Sequence, residues 1–127
     1  MRKKTRVLFI VSQKTAGEAE YEQILAALRG AGFELHDERT DARPDVVLLD
    51  LPRQPRELSS LLSRASAARA PMVVMSRDAA TLPRRARALG AYGFVPRPFQ
   101  AAQLLERVGS AAEACRRHPT LFGIRRG

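Results

Sequence analysis

The sequence predicts an α/β fold in which helices cover both faces of a parallel sheet. Three short runs, residues 7–11 (VLFIV), 45–50 (DVVLLD) and 72–75 (MVVM), are almost wholly apolar and rich in branched side chains, as strands buried on both faces must be. Segments with helical spacing of their apolar residues lie between them. Strands alternating with helices build a parallel sheet whose ligands and chemistry gather at the carboxyl ends of the strands.

The elements follow in order. Residues 7–11 are the central-strand candidate. Residues 18–29 place Tyr21, Ile24, Leu25 and Leu28 on one helical stripe, and Gly30 and Gly32 supply the stop. Residues 33–35 form a short second strand and 45–50 a third. A helix entered from Pro55 carries Leu58, Leu61, Leu62 and Ala65 at i, i+3, i+4, i+7 spacing and leads through Pro71 into the fourth strand. Thr81 stands as an N-cap before Pro83, which the first helical turn tolerates, and this helix stops at Gly90. Residues 93–96 give a fifth strand. The last helix, residues 100–115, aligns Leu104, Leu105, Val108, Ala111 and Ala112. Residues 36–44 offer only nine positions between the second and third strands, fewer than the dozen or so a helical crossover needs, so that helix is expected to be shortened or absent.

The length of 127 residues suits one domain, and a 45% apolar fraction suffices for a core. No run approaches the roughly 18 apolar residues of a membrane span, and no signal peptide is legible, so a soluble, cytoplasmic protein is expected. The lone Cys115 has no partner for a disulfide or a metal and reads as a helix-face residue. His36 and His118 lack motif context and are expected to face solvent. The 22 basic and 13 acidic residues give a net charge of +9, a field that favours nucleic acid, anionic lipid or an acidic protein surface, or that reflects an arginine-rich, alanine-rich composition. After Cys115 the segment RRHPTLFGIRRG departs from the alternation, and is either a disordered end or a short docking segment.

DVVLLD ending in Asp50, the apolar strand ending at Ser76 and LGAYGFVPRPF before an amphipathic last helix occur in the order and spacing of a receiver domain. Over residues 5–112 the chain resembles the receivers of bacterial two-component response regulators. The resemblance implies a flavodoxin-like, doubly wound five-stranded parallel sheet of strand order 2-1-3-4-5. It divides the chain into a receiver-like domain at 1–114 and a basic C-terminal tail at 115–127. In receivers, an acidic pair after strand one and a phosphoacceptor aspartate hold Mg²⁺, a Ser or Thr after strand four reads the phosphoryl group, and a Lys before Pro contacts it. The cation offsets the repulsion between a carboxylate and an anionic phosphodonor. Asp50 matches the acceptor, Ser76 the hydroxyl position, Phe94 the switching aromatic and Arg97 the lysine position.

The site departs from that pattern. Ser12 and Gln13 occupy the acidic-pair positions and offer at most two weak neutral oxygens for a metal. A planar guanidinium at Arg97 does not substitute for a compact ammonium. Lys14 is a candidate direct partner for Asp50, and Arg97 another. Glu18, Glu20 and Glu22 read as a solvated first helical turn favoured by the helix dipole. Ser76 reads equally as a loop or capping residue, and Phe94 as a core aromatic. Arg84, Arg85 and Arg87, with Arg77 and Arg97, are expected to cluster around the helix after strand four and around strand five. Arginines there suit an acidic partner or a homodimer contact on the face made with the last helix, and read equally as an ordinary solvated helix face.

The expectation is therefore a stand-alone pseudo-receiver without enzymatic activity. It binds a signalling kinase or effector with an acidic surface, and it needs neither metal nor other cofactor. Two alternatives remain: a response regulator in a phosphorelay, phosphorylated on Asp50 with Mg²⁺, and a small basic nucleic-acid-binding protein. The second lacks a recognisable recognition motif.

Overall fold

A computed structural model of the chain describes residues 4–12, 18–36, 43–52 and 55–118. Five strands, β1 (Arg6–Ile10), β2 (Glu34–His36), β3 (Val46–Asp50), β4 (Met72–Ser76) and β5 (Gly93–Pro96), form one parallel sheet ordered β2-β1-β3-β4-β5. Four helices are described: α1 (Ala19–Gly30), α2 (Pro55–Ala67), α3 (Leu82–Ala88) and α4 (Ala101–Arg117). This is the doubly wound, flavodoxin-like arrangement and strand order expected from the sequence.

Strand periodicity divides the core. Val7, Val46, Leu48, Val73, Met75 and Val95 face Ile24 and Leu28 of α1 and Leu104, Val108 and Ala111 of α4. Their neighbours along the strands, Leu8, Ile10, Val47, Leu49 and Val74, face Leu61 and Ala65 of α2 and Leu82 and Ala86 of α3. All five residues of β3 are buried, which is why DVVLLD shows no polar alternation. Each fully buried Val or Leu contributes about 1.5–3 kcal/mol of transfer free energy, and the two layers together hold the sheet between the helices.

The helix ends depart from the sequence reading in detail. Gly32 (φ 88°) and Gly90 (φ 71°) adopt the left-handed conformation that glycine takes without steric cost, and so close the turns after α1 and α3. Thr81 occupies the N-cap position of α3 but has αR backbone angles and makes no capping bond. Its hydroxyl is buried without a partner among the described residues. The last helix runs to Arg117, with Cys115 buried on it, so the ordered fold passes beyond residue 114; residues 119–127 of the tail lie outside the described residues. Burial pushes the Cys115 thiol pKa up, with Asp45 adding to the effect.

His36 does not face solvent. Leu35 packs on the α1–α4 side, so the next residue along β2 turns to the other face, where the His36 side chain is mostly buried with Nε2 3.3 Å from Glu34 Oε2. His118 is exposed. The expectation of a shortened or missing helix before β3 falls largely on residues 37–42, outside the described residues. No helix among the described residues is long and apolar enough to cross a membrane.

Candidate functional site

Parallel strands deliver their last residues to one rim. β3 ends in Asp50, β4 in Ser76, and Arg97 follows β5, where its N–H donates to the Ser76 carbonyl at 2.9 Å and extends the ladder one residue past the strand. The peptide between Arg97 and Pro98 is cis. The first turn of α1 reaches the same rim and brings Glu18 and Glu20.

The Arg97 side chain occupies the centre of this group and is 3% exposed, as is that of Asp50. Its Nη1 donates to both carboxylate oxygens of Asp50, at 3.0 and 3.1 Å. Its Nη2 donates to Glu18 Oε2 at 2.8 Å, and its Nε donates to Glu20 Oε1. One guanidinium thus binds three carboxylates drawn from two elements far apart in sequence. Arg77 completes the outer side, with Nη2 3.0 Å from Glu18 Oε2.

Two physical effects hold the charges in place. Burial disfavours the charge on Arg97, but the Asp50 carboxylate and the bonds to Glu18 and Glu20 outweigh it, and the guanidinium pKa lies above its ordinary value. Hydrogen bonds from Arg97 and then from Arg77 hold Glu18 below the ordinary carboxylate range. In a buried cluster of this kind, removing one partner is strongly destabilising because it leaves buried charge less well compensated.

Glu18 explains why the start of α1 lacks a conventional cap. It stands at the N-cap with extended backbone angles and makes no capping bond, because its carboxylate is turned to the two arginines. The reading of Glu18 and Glu20 as a solvated turn is therefore corrected: both belong to the site, while Glu22 is exposed. The available signal was charge balance, since an arginine at the carboxyl end of β5 calls for more than one carboxylate and the first turn of α1 faces the same rim.

The remaining expected residues take different places. Ser76 is buried and its Oγ accepts the Asp78 N–H at 3.1 Å, the bond of a loop-capping serine. Ser12 is half-buried at the end of β1. Gln13 and Lys14 lie outside the described residues, and with them the suggested pairing of Lys14 with Asp50. Phe94 is half-buried against the α2–α3 layer. Arg84 and Arg87 are exposed on α3 and Arg85 is half-buried. Arg77 and Arg97 do not join them as expected, because the carboxylates of α1 and β3 hold both at the rim.

A second feature lies on the face formed by α3, β5 and α4. It is an open groove of about 430 Å³ whose lining includes Ala86, Arg87, Tyr92, Phe94, Glu106 and Arg107. Tyr92, 45% exposed, is the single exposed large hydrophobic side chain among the described residues.

Among the described residues, the rim carboxylates are bonded to Arg97. The Asp50, Glu18 and Glu20 oxygens that face inward already accept bonds from Arg97, so a cation among them would meet the guanidinium. No group of three or more potential ligands among the described residues is arranged to hold a metal.

The sequence matches no family model and no curated protein. Solved structures do match. A response regulator receiver protein from Burkholderia phymatum is 20% identical, with a TM-score of 0.69 over 87% of this chain and 96% of that one. The signal receiver domain of a modulated diguanylate cyclase from Desulfovibrio desulfuricans is 19% identical, with a TM-score of 0.70 over 91% and 99% of the two chains. NtrX from Brucella abortus, solved with ADP, is 22% identical with a TM-score of 0.72, over 97% of this chain but 30% of its own. The strand order and these neighbours together show that the chain has the fold of the response regulator receiver domains.

Proposed function

We propose that this chain is a receiver-type signalling module whose rim is closed by Arg97, and that it works by binding a protein partner without magnesium-dependent phosphorylation of Asp50. One observation carries the reading: a buried guanidinium takes both oxygens of Asp50 and one oxygen each of Glu18 and Glu20. An aspartate attacking a phosphoryl group needs a free oxygen and a cation able to bridge it to the incoming phosphate. Here the cation is covalently part of the protein and has no open coordination position.

The partner surface in this reading is the α3–β5–α4 face. Its groove pairs an exposed aromatic, Tyr92, with Arg87 and Arg107, and Arg84 extends the basic character along α3. Aromatic anchors beside arginines are the combination enriched where proteins meet, and arginine forks suit the carboxylates of an acidic helix or loop.

The test has two arms. The chain is incubated with an acyl phosphate donor and Mg²⁺ and read by intact mass; the expected result is no phosphoryl adduct. Rapid, stoichiometric labelling that disappears in Asp50→Asn would replace this reading with an active response regulator. Affinity capture from source cells, repeated with Arg84, Arg85 and Arg87 changed to Glu, is expected to lose a specific acidic partner.

A further inference from the structure

The opposite rim, where the strands begin, carries a different charge pattern. Lys4 precedes β1 and Arg6 starts it, Arg43 precedes β3 and Arg69 precedes β4, and α4 ends in Arg116 and Arg117. These residues are tied together. Arg43 Nη2 donates to the Arg69 carbonyl, Arg6 Nη1 lies 3.5 Å from the Arg43 carbonyl, and Arg116 Nη2 donates to Thr5 Oγ1 at 2.7 Å.

Few carboxylates oppose them among the described residues. Glu113 is shared by Arg116 and Arg117, Glu34 lies 3.9 Å from Arg6 Nε, and Asp45 accepts the Arg6 backbone N–H. Lys4 and Arg69 are exposed, and Arg43 Nε is buried without a partner among the described residues. Arginines in a last helical turn satisfy the helix dipole, which accounts for Arg116 and Arg117 but not for the four cations on loops and a strand start. Arg69 also holds a left-handed backbone (φ 51°), a conformation that is costly for a residue bearing a side chain.

From this arrangement we infer that the amino-end rim of the sheet binds the phosphate backbone of nucleic acid without reading its sequence. Because β1, β3 and β4 are hydrogen-bonded neighbours, the segments that lead into them bring their cations to one rim. All but one of these cations are arginine, whose planar fork matches phosphate oxygens. Among the described residues no large apolar side chain is exposed at the starts of β1, β3 and β4, as an anchored membrane helix or the centre of a protein interface would require.

The test uses the full chain, fluorescently labelled duplex and single-stranded DNA of random sequence, and anisotropy at about 100 mM salt, where the Debye length of about 10 Å confines each charge's influence to its own rim. Lys4→Glu with Arg69→Glu is compared with a second pair, Arg56→Glu with the Ser59→Glu, Ser60→Glu doublet, an equal charge change on other exposed positions. Affinity is expected to fall about tenfold or more in the first pair and to stay within about twofold in the second. The first pair should also flatten the salt dependence, by roughly 0.9 for each phosphate that the protein no longer neutralises. Both pairs lie outside the core, and a matching Lys4→Gln, Arg69→Gln variant guards against a folding defect from the acidic substitutions.

Absence of binding to either DNA or to RNA at about 50 mM salt, where the electrostatic attraction is strongest, overturns the inference. So does binding that both pairs weaken equally. Phosphatidylserine vesicles bound through Lys4 and Arg69, with nucleic acid unbound, would assign the rim to a membrane instead.

Discussion

The two rims of the sheet use their arginines in opposite ways. At the carboxyl end Arg97 is buried, and each of its nitrogens is bonded to a carboxylate of Asp50, Glu18 or Glu20. At the amino end Lys4, Arg69 and Arg117 are exposed and meet few acids. The difference shows what a net charge of +9 conceals: one arginine builds the fold, and others decorate it. A buried charge with several partners is indispensable once present, whereas an exposed one in water contributes little to stability and is free to act on a ligand.

The largest expected effect tests the first half of that contrast. Arg97→Ala takes the guanidinium away from the buried Asp50 carboxylate and from Glu20, and should lower unfolding free energy in urea by about 3–5 kcal/mol. A loss below about 1 kcal/mol would mean that the cluster is solvated and that the two rims do not differ in kind.

Acid should act on the same rim. Because the folded-state pKa of Glu18 is lowered, the unfolded chain takes up its proton first as pH falls, so the stability that Glu18 supplies is present above its ordinary value of 4.5 and is lost below it. Urea midpoints measured at decreasing pH should fall less steeply in Glu18→Gln than in the parent. Parallel curves for the two proteins would show that Arg97 and Arg77 do not bias this carboxylate.

What the sequence made legible follows the same division. Buried parallel strands must be apolar on both faces, so residues 46–50 and 72–75 announced themselves, and β5 was bounded correctly at Gly93–Pro96 by its glycine and proline. The Arg97 cluster was not legible as a whole. Its partners stand at positions 18, 20 and 50, and no helical or strand period relates them; only the sheet's topology brings α1 beside the end of β3. Glu18 and Glu20 looked like an ordinary acidic first turn because local rules explain such residues equally well in solvent. His36 misled for a related reason: no local pattern marks a polar residue on a three-residue edge strand as one whose side chain is mostly buried.

Arg77 refines the comparison within the carboxyl rim. Its side chain is 47% exposed and it shares Glu18 with Arg97. Arg77→Ala should therefore cost less than about 1 kcal/mol, the range of exposed pairs, although it touches the same cluster. A cost approaching that of Arg97→Ala would make the outer arginine an equal member.

The smallest expected change is at Arg69, where stability and function separate most cleanly. Glycine adopts φ 51° freely, which removes a cost of about 1–2 kcal/mol, while its greater freedom in the unfolded chain takes back about 0.5–1 kcal/mol. The Arg69 backbone carbonyl that accepts from Arg43 is retained in Arg69→Gly. The variant should thus fold with a stability between unchanged and about 1.5 kcal/mol higher. It should also bind DNA more weakly, because one cation has left the amino-end rim. A clear loss of stability in urea would show that the arginine side chain supports the fold at this position, and the contrast between the two rims would then narrow to one of exposure alone.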